Sequence, residues 1–493
     1  MRSRLSWLLS ALLCIATAAT AQNAPRGTAG AAEPAEDAAP VTPVATRPDE
    51  RRSDRPLHFD IFGRLIEFGL SYELAHERRH DFDLNASSQR DRDVLDHELK
   101  IDARLRYNNS LTLFAPGKAL ADQRRERRDG SVRRRHSNER AQALVLVDDI
   151  AGRPLSLQLG RIALIEPRAW WWDDDLDAAR LRFAAGNFRL ETGVAKELGR
   201  VSSALPGIDP VDKGVTRWFG HGGWRWAPRH DVELFWLNAN DSSGAPAPGA
   251  LFDGDSDSVD TADAKLRWIG LRASGEWRHR SGHRLGWRGD VARVRGRETR
   301  TPFGRTADDR LSAGTSSQRS VRGQAWGLGA QWRLPGAARP TFSLDLASGS
   351  GGTDSDALDL NFRQTGLQEN KGRVAGVKRV RYYGELLDPQ LSNLRIASAG
   401  FGLRFLHNSS AEVLLHHYRQ NVASTRLAGS RLSVAPLGLR REIGREIDLV
   451  VALREWRHVE LIMKLSRFMP GAAFAADRRD SATGIEFGAT FTF

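Results

Sequence analysis

The sequence predicts an all-β protein, an antiparallel transmembrane β-barrel with long loops on one side. Three observations predict it: long runs alternate apolar and polar residues with period two, none of the chain beyond its start is apolar enough for a membrane helix, and it ends on an alternating segment closed by Phe493.

The first residues form a separate unit. Arg2 and Arg4 precede an apolar run from Leu8 to Ile15, and Ala19-Thr20-Ala21 supplies small residues before Gln22. That pattern predicts a signal peptide over 1–21, too short to span a bilayer as a retained anchor. The single cysteine, Cys14, lies inside this run, and Leu13 before it argues against lipidation. The mature chain would then hold no cysteine, which excludes disulfides, thiolate metal sites and a cysteine nucleophile. Residues 22–56, rich in Ala, Pro, Thr, Glu and Arg without periodicity, read as a disordered periplasmic lead-in, leaving 57–493 for the barrel.

The alternation begins with Ile66, Phe68, Leu70, Tyr72 and Leu74 on one face, against Glu67, Gly69, Ser71 and Glu73. In the next run Leu95, His97, Leu99, Ile101, Ala103, Leu105 and Tyr107 oppose Asp96, Glu98, Lys100, Asp102, Arg104 and Arg106. At about 3.3 Å per residue this run reaches roughly 40 Å, enough for a tilted membrane strand. A helix would scatter the same residues around its axis. A soluble sandwich fits the alternation locally, but has no reason to end on Ile485, Phe487, Ala489, Phe491 and Phe493 all facing one way. Such a closing strand resembles the signal read by the barrel assembly machinery. Further strands are expected at 155–161, 179–183, 188–194, 232–236, 380–386 and 459–465, with long polar connections at 122–138, 238–260, 298–320 and 348–372. Some of the 14 tryptophans, Trp170 to Trp172, Trp218, Trp224 and Trp226 among them, are expected in interfacial girdles. The length from Leu57 onward accommodates sixteen, eighteen or twenty strands of roughly ten residues each.

Mean hydropathy is −0.45, a value that one water-facing side of every strand dilutes. The net charge of +12 and pI near 10.3 call for an anionic partner: nucleic acid, anionic lipid or an acidic solute. Export disfavours nucleic acid and leaves outer-membrane lipids and an acidic solute. Of the 73 basic residues only 8 are lysine; arginine suits bidentate carboxylate recognition, although a GC-rich genome also favours it.

Three stretches resemble one known family. Leu157 to Arg161 is followed by Trp170-Trp171-Trp172-Asp173-Asp174-Asp175-Leu176-Asp177 and Arg180-Leu181. The most specific runs from Phe362 to Asn370, then Arg379, Arg381 to Pro389 and Leu391 to Leu394. The third is Gly444 to Leu449, leading to Phe468-Met469-Pro470-Gly471. Together they resemble the alginate export family of outer-membrane proteins. The resemblance implies an eighteen-stranded monomeric barrel in a Gram-negative outer membrane, with a narrow arginine-rich pore gated by loops. It also implies export of alginate, a linear uronic-acid polymer, and a periplasmic repeat-containing scaffold lipoprotein as partner.

A pore for such a polyanion should present fixed cations without holding the polymer tightly. Parity places Lys100, Arg104, Arg106, Arg180, Arg182, Arg379 and Arg381 toward the lumen, and Arg161 and Arg363 lie in the family-like stretches. Asp173, Asp174 and Asp175 are candidates to pair with pore arginines, to gate the pore or to hold a loop calcium ion. Glu385, Glu446 and Asp448 face the same lumen and can tie arginines into ladders instead. The runs Arg124-Arg125, Arg127-Arg128 and Arg133 to Arg135 suit recruitment of a polyanion or contact with lipid phosphates. No catalytic residue, metal site or resident cofactor is expected. His416 and His417 point to opposite faces of an alternating segment, and Ser348 lacks a nucleophile elbow. Two rival readings stay open: an anion-selective diffusion porin for small acidic solutes, and a purely structural barrel.

Overall fold

The computed structural model describes residues 57–493 apart from 62, 89, 127–129, 245, 253–261, 309 and 353–356. The expected signal peptide and lead-in lie outside the described residues. Eighteen antiparallel strands close into a barrel. The first nine are β1 (Arg64–His80), β2 (Arg92–Arg106), β3 (Leu111–Glu126), β4 (Val132–Glu139 continued by Ala143–Val147), β5 (Leu155–Ile165), β6 (Asp173–Ala185), β7 (Phe188–Ala195), β8 (Thr216–Ala227) and β9 (His230–Asn240). The second nine are β10 (Ala262–Arg278), β11 (Arg284–Arg300), β12 (Ser317–Arg333), β13 (Thr341–Gly349), β14 (Leu394–Phe405), β15 (Ser409–Gln420), β16 (Glu442–Trp456), β17 (Val459–Pro470) and β18 (Ala482–Thr492).

Each strand pairs with its sequence neighbours, and β18 closes on β1 through registers Ser71↔Thr492 to His80↔Thr483. Phe493 and Leu70 exchange backbone hydrogen bonds of 2.8 and 3.0 Å, completing that seam. Below it the short strand Leu57–Ile61 covers the remaining edge of β1. Closure leaves no long unpaired wall edge, the condition for backbone polar groups in a bilayer.

Connections differ sharply between the two ends. One end has tight turns such as 186–187, 228–229 and 457–458, while the other has 196–215, 241–261, 301–316, 350–393 and 421–441. By the habit of such barrels the tight turns are periplasmic. Trp224, Trp226, Trp277, Trp332 and Trp456 stand exposed at this turn end, and Phe188 stacks on Trp224 at 6.0 Å. They form an aromatic girdle.

Three expectations are corrected. Residues 122–138 are mostly hairpin, since β3 and β4 pair from Arg125↔Val132 downward. Residues 380–386 are no wall strand: only Val380–Arg381 pairs, with Lys371–Gly372, inside the 350–393 connection. Trp170, Trp171 and Trp172 are 4, 1 and 0 % exposed and lie in the interior, not in a girdle. Their chain is a turn, so consecutive side chains need not alternate between lipid and lumen.

Candidate functional site

The lumen is not empty. The 350–393 connection folds inward, and Phe362, Leu367, Tyr382, Tyr383, Leu386, Leu387 and Leu391 are buried in one cluster with Trp170–Trp172, Phe219, Phe235 and Phe468. Trp171 stacks on Phe235 of β9 at 5.0 Å, and the indole of Trp268 on β10 donates to the Arg363 carbonyl at 2.7 Å. Burial of this apolar surface holds the insertion down, while charged groups around it fix its position.

On one side wall carboxylates grip a turn of the insertion. Glu446 of β16 accepts from the amides of Leu386 and Leu387 at 2.7 and 3.0 Å and from the Tyr418 hydroxyl at 3.1 Å. Asp448 accepts from the Glu385 amide at 3.2 Å and lies 3.3 Å from His416. Gly384 sits at φ +110° in this turn, where a Cβ would run into the Tyr418 hydroxyl. Glu385 in turn meets Lys464 of β17 at 3.1 Å and Arg381 at 3.3 Å, and Arg381 meets Asp388 at 2.8 Å. Burial favours a neutral Glu385, but Lys464 and Arg381 outweigh it and hold the carboxyl at about 2.

Arg363 pairs with Glu298 of β11 and with Asp359, each at 2.5 Å, and Arg319 of β12 joins the same carboxylates. Arg379 reaches Asp173 at 2.8 Å. Asp174 is exposed and Asp175 accepts from Gln142 at 3.2 Å, so the three aspartates do not converge. No group of three or more metal-ligating residues is placed to hold an ion among the described residues.

A second cluster lies outside the residues that the sequence singles out. Arg272 of β10 lies 2.6 Å from both Glu166 and Asp290, and Arg168 meets the other oxygen of Asp290 at 2.7 Å. Glu166 also accepts from the amides of Arg168, Trp170 and Trp171, which turns the three tryptophans inward. Burial would raise its pKa, yet the Arg272 guanidinium and these amides lower it below the ordinary range. The ladder continues through Glu233 to His221 at 3.2 Å and on to Glu191 at 3.5 Å. The inward parity of Glu233, Arg272 and Asp290 was available as a signal.

Arg180 and Arg182 face inward and are buried, opposite the lipid-facing Leu181 and Phe183. Arg180 donates to Gln158 at 2.9 Å, whereas two nitrogens of Arg182, Nε and Nη1, have no hydrogen-bond partner. Lys100 and Arg104 also point inward, Arg104 toward Glu67 at 3.3 Å, and Arg106 is exposed near the turn end. Arg161 differs: its register with Asp177 puts it on the face of Leu159, paired with Glu197 at 3.0 Å rather than with the lumen groups.

The description Alginate export belongs to the family that matches residues 64–486. A relative named alginate production protein AlgE, from Pseudomonas aeruginosa, is 28% identical over 299 residues, 60% of this chain. The aligned part spans 59% of that relative's length. Among solved structures, Pseudomonas aeruginosa OccK7 (OpdD) covers 87% of this chain and 98% of its own at a TM-score of 0.53 and 14% identity. Acinetobacter baumannii OccAB2 has the same coverage and TM-score at 10% identity. At that identity the likeness is one of fold, that of outer-membrane barrels. With a match across most of its length, the chain belongs to the alginate export family.

Proposed function

We propose that this outer-membrane barrel exports an acidic exopolysaccharide, alginate or a similar uronate polymer, along a path lined by arginines. The observation that carries the reading is the set of arginine–carboxylate pairs inside the barrel. Arg363, Arg379 and Arg381 on the insertion meet Glu298, Asp173 and Asp388, carboxylates of the kind a uronate chain also offers. One such pair at 4 Å is worth roughly 4 kcal/mol at an effective dielectric near 20, before desolvation. An arriving polymer replaces like with like, and Arg180 and Arg182 give it further cations. The relative named for alginate production supports the same substrate class. The proposed partners are the polymer, outer-membrane lipids, the assembly machinery that reads the closing strand, and a periplasmic scaffold lipoprotein for a monomeric barrel.

Single-channel conductance with oligouronates of increasing length tests this. Anion-selective current, blocked more strongly as the oligomer lengthens, is the expected result. A large steady conductance indifferent to oligouronates would replace export by a diffusion porin for small acidic solutes.

A further inference from the structure

The outward face of β10–β12 carries a cationic patch that the lumen does not use. Registers align Arg267, Arg295 and Arg322 across the three strands, with Arg293 one step below and Lys265 and Arg297 one step above. All six are exposed. Their parity is opposite to that of the buried Trp268, Val294 and Val321, so they point away from the lumen. Arg267 donates to Asn238 at 2.8 Å, and none of the six has a carboxylate partner among the described residues. The one carboxylate on this face of the described strands, Asp263, is turned to Ser243 and the Gly244 amide at 3.1 and 2.9 Å.

Height identifies the neighbour. On each strand an aromatic marks the turn-end interface: Trp277 on β10, Trp287 on β11 and Trp332 on β12. Ile269, Leu271, Val291, Leu328 and Trp326 stand exposed between these rings and the cations. The apolar band of such barrels is about 25 Å tall, which a strand tilted by about 40° crosses in roughly ten residues. Counting up from Trp277, Trp287 and Trp332 by that length reaches Arg267, Arg297 and Arg322. The patch therefore stands at the headgroup level of the outer leaflet.

We propose that this face is a binding site for a phosphorylated glycolipid of the outer leaflet, its phosphates held by Arg267, Arg295 and Arg322 and its acyl chains lying on Ile269, Val291 and Leu328. Guanidinium groups suit the bidentate geometry of phosphate, and anionic headgroups neutralise a cluster that would otherwise repel itself. A second copy of the barrel is a poor occupant, because it would bring the same charge.

The test uses the full-length protein in detergent, with a bisphosphorylated acylated glucosamine lipid, its dephosphorylated form and inorganic phosphate as probes. Native mass spectrometry is expected to retain the bisphosphorylated lipid on the native protein. The triple variant Arg267→Gln, Arg295→Gln, Arg322→Gln should bind it at least roughly tenfold more weakly, a factor of 1.4 kcal/mol. Unaltered heat-modified gel mobility shows that the variant has folded, as expected for exposed side chains. Equal binding of both lipid forms, equal binding by the variant, or displacement by equimolar inorganic phosphate would each overturn the proposal. So would a variant that keeps the lipid but is blocked less by oligouronates, since the patch would then serve the polymer.

Discussion

Arg272 meets three carboxylates, Glu166 and Asp290 at 2.6 Å and Glu233 at 3.9 Å, more than any other lumen cation described above, and its removal has a calculable cost. Glu166 and Asp290 each lie 2.6 Å away and are nearly inaccessible. Burying a balanced ion cluster gains little over apolar packing, but deleting one partner strands the others. Arg272→Ala is expected to destabilise the barrel interior by about 3–5 kcal/mol, measured as a lower temperature for loss of the fast-migrating folded band. Arg272→Lys keeps the charge but loses the fork, and should fall between. Glu385 makes a pH test. Its carboxyl is held at about 2, below its ordinary 4.5, so its anchoring is fully present above pH 4.5. That stabilisation is lost as pH falls from 4.5 toward 2. Conductance should therefore rise across that window, and Glu385→Gln should abolish the acid-dependent part.

At the scale of elements, the insertion is expected to be what narrows the pore. Replacing 358–391 by a short Gly/Ser linker should raise single-channel conductance several-fold while leaving the barrel folded. Unchanged conductance would mean that the wall alone sets the pore. The wall strands were legible because lipid on one side and charge on the other impose period two, as in β2 and β6. The insertion was not. Residues 380–386 alternate because the segment lies between an apolar cluster and charged wall groups, which imitates a wall strand although only Val380–Arg381 has ladder bonding. The 122–138 stretch looked like a loop because it is highly charged, yet a hairpin beyond the bilayer pairs its backbone whatever its side chains. Among site residues, parity located Arg180, Arg182 and Glu446; Arg161 was a candidate only through its family-like stretch, and it shares the face of Leu159 with Asp177 and Glu197. The Glu166 turn needed contacts across more than a hundred residues, which no local pattern reveals.

For the whole molecule, the clearest division of charge is along β10–β12, where the Arg272 and Glu298 pairs face inward and the outward cations have no carboxylate partner among the described residues. Neutralising Arg180 and Arg182 should weaken anion selectivity, read as a shift in reversal potential in planar bilayers, and leave lipid retention unchanged. The attachment of the insertion at both ends, to β13 and β14, has a kinetic meaning. Its arginines cannot diffuse away from their cradle, so a displaced segment remains at an effective concentration on the order of millimolar. A single sugar acid competes against that local excess and loses. A chain that engages Arg363, Arg379 and Arg381 together carries its own multivalent advantage. The barrel would thus measure the length of its cargo, staying shut to monomers and yielding only to a polymer long enough to hold several sites at once.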